Sequence, residues 1–94
     1  MSVNPVENLV IELLTELQLL VTEEPAEITR ATVPLRDLAF FDSLLGLEMT
    51  VALEGRLGII LGDQTAFSHK ETREPLSITQ IAQRICDAHA GVGV

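Results

Sequence analysis

Apolar positions near the start of the chain recur at Val6, Leu9, Val10, Leu13, Leu14, Leu17 and Leu20, the three- and four-residue spacing of one helix face. Ahead of that stripe, Asn4, Pro5 and Glu7 read as an N-cap, a first helical residue and the return arm of a capping box. A first helix is therefore expected over 5–21, with Glu12, Glu16 and Gln18 on its wet side. From residue 22 to 42 the period is lost, and Pro25 and Pro34 oppose regular helix. So long a connection needs pinning, and Val33, Leu35, Leu38, Phe40 and Phe41 are the residues able to do it.

Helical spacing returns at Leu44, Leu47 and Val51, with Met49, Ala52, Leu53 and Leu57 beside them, and stops at Gly58, a natural left-handed C-terminal residue. This predicts a second helix over 43–57. Gly46 and Gly55 inside it each cost up to about 1 kcal/mol against alanine, which points to packing or a close approach on their side. The polar segment that follows predicts one short third helix over 64–70, capped by Asp63. Ser77 and Gln80 form another capping-box pair ahead of Ile78, Ile81, Ala82, Ile85 and Cys86, so a last helix is expected over 78–89 and a frayed tail over 91–94.

Composition narrows this to one small aliphatic core. The 94 residues are 47% hydrophobic and only 3% aromatic, enough apolar surface to fold and too short a chain for two domains. A net charge of -8 argues against nucleic acid, whose phosphates need a basic footprint, and favours partners with basic docking faces. The lone Cys86 cannot form an internal disulfide, no apolar run is long enough to span a bilayer, and the N-terminus lacks a signal-peptide pattern, so a cytoplasmic protein is expected. Cys86 continues an apolar stripe and reads as core, while His69 and His89 have no neighbours at metal-ligand spacing, so no metal is expected.

Ser43 raises the chemical question. At the first turn of a helix its hydroxyl stands where unpaired N–H groups and the positive end of the macrodipole favour an anion, and Asp42 before it is a good N-cap. On Asp-Ser-Leu alone, two readings stay open: part of an ordinary cap, or an attachment point for a phosphate-linked group.

The longer stretch LRDLAFFDSLLGLEMTVALEGRLGI resembles the acyl and peptidyl carrier protein family, with its D-S-L motif after a long first loop. The likeness continues through Leu47, Glu48, Ala52, Leu53, Glu54, Leu57 and Gly58 to the serine-capped last helix. The resemblance implies an all-α four-helix bundle with a long loop between helices 1 and 2 and a short third helix. It also implies a 4'-phosphopantetheine arm on Ser43, flanked by Asp42 and Leu44, that carries acyl, aminoacyl or polyketide units as thioesters. The protein would then be no enzyme but a shuttle. Its partners would be a phosphopantetheinyl transferase, an acyl-loading ligase or acyltransferase, and a ketosynthase or other pathway enzyme. Leu45, Glu48, Val51, Glu54 and Ile60 are the expected partner contacts. The initial methionine and the lack of a flanking linker suit a free-standing carrier, with excision from a larger synthase as the alternative, and a monomer is expected.

Leu45 and Gly55 stand where fatty-acid carriers frequently have acidic residues, the run Ile59, Ile60, Leu61 is greasy, and 62–75 is several residues longer than in compact members. These departures turn the expectation from housekeeping fatty-acid synthesis toward a dedicated pathway. A different class, a helical adaptor that docks partners through exposed Leu45 and Ile60 without a prosthetic group, fits the composition as well. Modification of Ser43 separates the two. A serine hydrolase lacks support, because no G-x-S-x-G turn or placed histidine accompanies Ser43.

Overall fold

The computed structural model describes residues 2–24, 26–38, 40–61, 65–69 and 72–92. Four helices follow in order: α1 (Val3–Val21), α2 (Pro34–Asp37), α3 (Ser43–Leu57) and α4 (Ile78–Val92). No strand occurs among the described residues, only an isolated antiparallel bridge between Ser68 and Pro75. The architecture is the all-α carrier-type bundle that the sequence predicts, with its short helix in a different place.

α1 packs against α4 around Val6, Val10 and Leu14 on one side and Ile78, Ile81, Ala82 and Ile85 on the other, all buried. Two features of the first helix differ from expectation. It begins at Val3 after an extended Ser2, so Asn4 and Pro5 lie inside its first turn, where the missing proline N–H has no intrahelical acceptor to lose. Glu7 is not a capping-box arm. It is buried and accepts a 2.6 Å hydrogen bond from Thr79 Oγ1, tying the second turn of α1 to the first turn of α4.

The other difference is Gln18, expected in water and found 2% exposed. Its side-chain amide donates to Ala26 O at 2.8 Å and accepts from Ala26 N at 2.9 Å. Buried backbone polar groups need partners, and here a primary amide imitates a peptide unit to hold the returning loop. Leu20, placed in the core stripe by its spacing, stands in solvent instead.

The connection from α1 to α3 is pinned by the residues named for it: Val33, Leu38 and Phe41 are buried, and Leu35 and Phe40 pack at the core's edge. It also contains α2, which begins at Pro34. Asp37 reaches back from this turn to accept from Val33 N at 2.7 Å, and Arg36 Nε donates to it at 3.0 Å. Thr32 O and Arg30 O then accept from Ile78 N and Thr79 N, so the loop lies against the start of α4.

The short helix expected over 64–70 is not formed at the described residues 65–69; Asp63, Gln64 and Lys70 lie outside the described residues. Ala66 and Phe67 make a buried turn, and His69 N to Glu74 O and Leu76 N to Phe67 O close a hairpin-like segment. Phe67 packs on Phe41 with ring centroids 5.0 Å apart, so the segment is anchored by side chains rather than by a helical ladder. Ser77 and Gln80 form the reciprocal capping box, with Ser77 N donating to Gln80 Oε1 at 2.9 Å and Gln80 N to Ser77 Oγ at 3.3 Å. α4 continues to Val92, beyond the expected end at 89, so the tail at 91–92 is helical; 93–94 lie outside the described residues. Cys86 is buried, as its stripe implies.

Candidate functional site

α3 starts where the sequence says it should. Asp42 is extended, and its Oδ1 accepts from Leu45 N at 2.9 Å, while Gly46 N to Asp42 O at 2.9 Å opens the helical ladder. The capping carboxylate thus satisfies one first-turn amide. The amides of Ser43 and Leu44 belong to the same turn and have no intrahelical acceptor by helix geometry. Ser43 is the first helical residue and is exposed, so its hydroxyl opens to solvent at the positive end of a fifteen-residue helix.

Behind this mouth, α3 is braced from the inside by small and polar residues. Gly46, Thr50 and Leu53 form its buried face. Thr50 Oγ1 donates to Gly46 O at 2.7 Å and accepts from Ala66 N at 2.9 Å, so one hydroxyl fastens the 65–67 segment to the helix. A Cβ on Gly46 would meet Thr65 Oγ1 at 3.4 Å and Phe41 Cε1 at 3.6 Å, ordinary contact distances in a tightly drawn corner. Gly55 is different: a Cβ there would meet nothing within 4 Å, so the close approach expected on its side is absent. Gly58 ends the helix with φ 65, the left-handed conformation expected of it.

The apolar row Leu44, Leu47, Val51 points outward. Leu44 is 65% and Val51 60% exposed, with exposed Glu48 among them and Ile60 beyond the helix at 78%. Two of the expected partner contacts sit differently. Leu45, thought to be open, is half-buried and packs on the core, because the first turn of α3 leans that side onto the bundle. Glu54 is half-buried too, and its Oε2 accepts from Leu61 N at 2.7 Å, so the carboxylate fastens the chain leaving α3. Leu47 joins the outward row, although the sequence offers it as part of the helical period and of the family resemblance and not as a partner contact. Its signal was the offset of three residues from Leu44 and four from Val51, combined with Gly46 and Thr50 on the opposite side.

These residues suit a phosphate-linked group: an accessible alcohol, first-turn amides able to face an anion, and a neighbouring carboxylate already engaged with Leu45 N. Compared with known protein families, residues 10–74 match the model described as the phosphopantetheine attachment site. The chain belongs to that family. The matched span opens within α1, includes α2 and α3, and stops at residue 74, inside the hairpin-like segment that precedes α4. No curated protein and no solved structure matches the chain.

The prosthetic group of this phosphopantetheine-binding protein is 4'-phosphopantetheine. Family members are in general non-catalytic carriers that work with partner enzymes. Among the described residues, no helix of this carrier is long and apolar enough to cross a membrane.

Proposed function

We propose that Ser43 is the attachment residue and that the chain is an acyl carrier protein serving a dedicated biosynthetic pathway. The observation that carries this reading is the choice of serines. The family match spans only Ser43 and Ser68; Ser68 is half-buried in the bridge to Pro75, whereas Ser43 is exposed on the first turn of a long helix. When bound, the prosthetic group supplies a flexible arm ending in a thiol on which acyl, polyketide or aminoacyl cargo is held as a thioester.

The chain's own residues do the rest by placement. Ser43 Oγ would attack the pantetheine-side phosphorus of coenzyme A; the pyrophosphate P–O bond breaks, adenosine 3',5'-bisphosphate leaves, and the hydroxyl proton passes to a base that a phosphopantetheinyl transferase supplies together with magnesium. Asp42 keeps the first turn of α3 wound through Leu45 N, which holds the Ser43 and Leu44 amides toward the same side. Leu44, Leu47 and Val51, with Glu48 among them and Ile60 beyond, form the face that pathway enzymes such as a loading ligase, an acyltransferase or a ketosynthase grip. Leu45 and Glu54 serve that face from behind, by fixing its frame. An apolar face with one free carboxylate favours dedicated partners over those of housekeeping fatty-acid synthesis.

The test is intact-mass spectrometry after incubation with coenzyme A, magnesium and a promiscuous phosphopantetheinyl transferase. The wild-type chain gains one phosphopantetheine mass and Ser43→Ala gains none. A gain on Ser43→Ala moves the attachment elsewhere, and no gain on either protein returns the adaptor reading.

A further inference from the structure

The solvent side of α1 starts as a helix surface should, with exposed Glu12 and Glu16, and then breaks the rule in its last turn. Leu19 is 63%, Leu20 83% and Val21 52% exposed, three consecutive large aliphatic residues open to water. Isolated exposed leucines are ordinary in folded proteins, but a run of them at one helix end is a patch. It is not needed to close the loop, because Gln18 already does that through Ala26 from the buried side.

Charge around the patch is one-sided. Six of the chain's fourteen acidic residues lie in positions 1–29 and none of its six Lys and Arg does, so most of the net charge of -8 belongs to this third. Exposed Glu16 precedes the patch, and exposed Glu23 and Glu24 follow it, with Glu27 just beyond. By contrast α3 has Glu48 and Glu54 against Arg56, with Glu54 engaged.

We infer that the end of α1 is a second docking surface, separate from the α3 face proposed above, for a partner protein presenting an apolar helix face bordered by Arg or Lys. Charge complementarity selects that occupant. A second copy of this chain would bring two acidic rims together, and like charges across an interface oppose association. An apolar centre with a charged border also matches the anatomy of specific interfaces, where the centre supplies affinity and the border supplies encounter rate and register. The inference is independent of Ser43, since it needs no modification of α3.

The test therefore uses the full chain with Ser43→Ala, unmodified, so that failure here says nothing about attachment. The probe is a synthetic helical peptide with one leucine face bordered by arginines, followed by two-dimensional amide NMR. Expected shifts cluster on residues 16–24, and a scrambled peptide of the same composition does not reproduce them. Leu19→Ser combined with Leu20→Ser weakens binding by about tenfold or more while leaving the melting temperature unchanged, because both side chains are exposed. Glu16→Gln, Glu23→Gln and Glu24→Gln together weaken it and flatten its salt dependence. Shifts centred on Leu44, Leu47, Val51 and Ile60 overturn the inference, as do equal shifts from the scrambled peptide. Sedimentation of the free chain as a dimer that the Leu19 and Leu20 substitutions dissociate also overturns it, by making the patch a self-interface.

Discussion

α3 and α4 are both fifteen residues long and both display an aliphatic row at three- and four-residue intervals, yet α4 buries its row while α3 turns its row to water. In α4 the row Ile78, Ile81, Ala82, Ile85 is the core itself. In α3 the outward row is Leu44, Leu47, Val51, and the inward face is Gly46, Thr50, Leu53. The same periodic signal therefore has two outcomes: in one helix it is buried as core, and in the other it stays exposed, which is the face proposed above for partner enzymes. What distinguishes them is the opposite side of each helix. α4 backs its row with Thr79, Gln80, Gln83 and Asp87, all exposed, so only one orientation buries apolar area. α3 has apolar residues on most sides, and the hydrogen bonds of Thr50 decide which side turns in.

The largest effects that sharpen this comparison are truncations of buried side chains, one behind α3 and one within α4. Phe67 is fully buried, packs on Phe41 and supports the inner corner of α3. Phe67→Ala is expected to cost about 3–5 kcal/mol, and Ile81→Ala in α4 about 2–5, a large share of the stability of a domain this size. Urea unfolding monitored by circular dichroism measures both. A cost under about 1 kcal/mol at either site would mean that the corresponding face is not core.

Next in size is Thr50→Val, which keeps the volume and removes the hydroxyl. Ala66 N is then left buried without its acceptor, so the expected cost is about 1–3 kcal/mol. The loss should localise: amide exchange at Ala66 and Phe67 accelerates more than at Ile81 and Ile85. Uniform acceleration would show that Thr50 only contributes packing and does not set the orientation of α3.

This residue also marks how far a sequence can be read. The bounds of α3, the Asp42 cap, the left-handed Gly58 and the Ser77–Gln80 box were all legible, because each is a relation between residues a few positions apart. The exposed hydroxyl of Ser43 at the helix mouth was legible for the same reason. Thr50 to Ala66 spans sixteen positions and Thr79 to Glu7 seventy-two, and no local rule announces either. Hence the segment after α3 was expected as a helix and is a buried turn with a bridge, and Glu7 was read as a cap and is a buried tie. Gln18 was misplaced because amides look like surface until a backbone needs them. Glu54 was given to partners because its bond to Leu61 N depends on how the chain leaves Gly58.

A smaller effect is expected at the cap. Asp42→Ala removes the acceptor of Leu45 N and should cost about 1 kcal/mol, within the usual range for a lost N-cap. Its use lies in a second measurement, the rate of transfer from coenzyme A to the proposed attachment residue Ser43 under conditions where more than nine-tenths of the variant is folded. A slower rate with unchanged folding assigns Asp42 a positioning role at the attachment turn, and an unchanged rate limits it to capping.

The smallest effect tests the outward row directly. Val51 is 60% exposed on the middle of α3, with no side-chain hydrogen bond to lose and a replacement of similar helix propensity in serine. Val51→Ser is therefore expected to change stability by less than about 0.5 kcal/mol, as surface substitutions generally do. Set beside Ile81→Ala, the pair asks one question of two apolar rows. If Val51→Ser costs more than about 1 kcal/mol, the row on α3 is folded against part of this chain and is not a free face. If stability holds while a partner enzyme's KM for the loaded carrier rises, the row is a contact surface whose apolar character was kept for association rather than for folding.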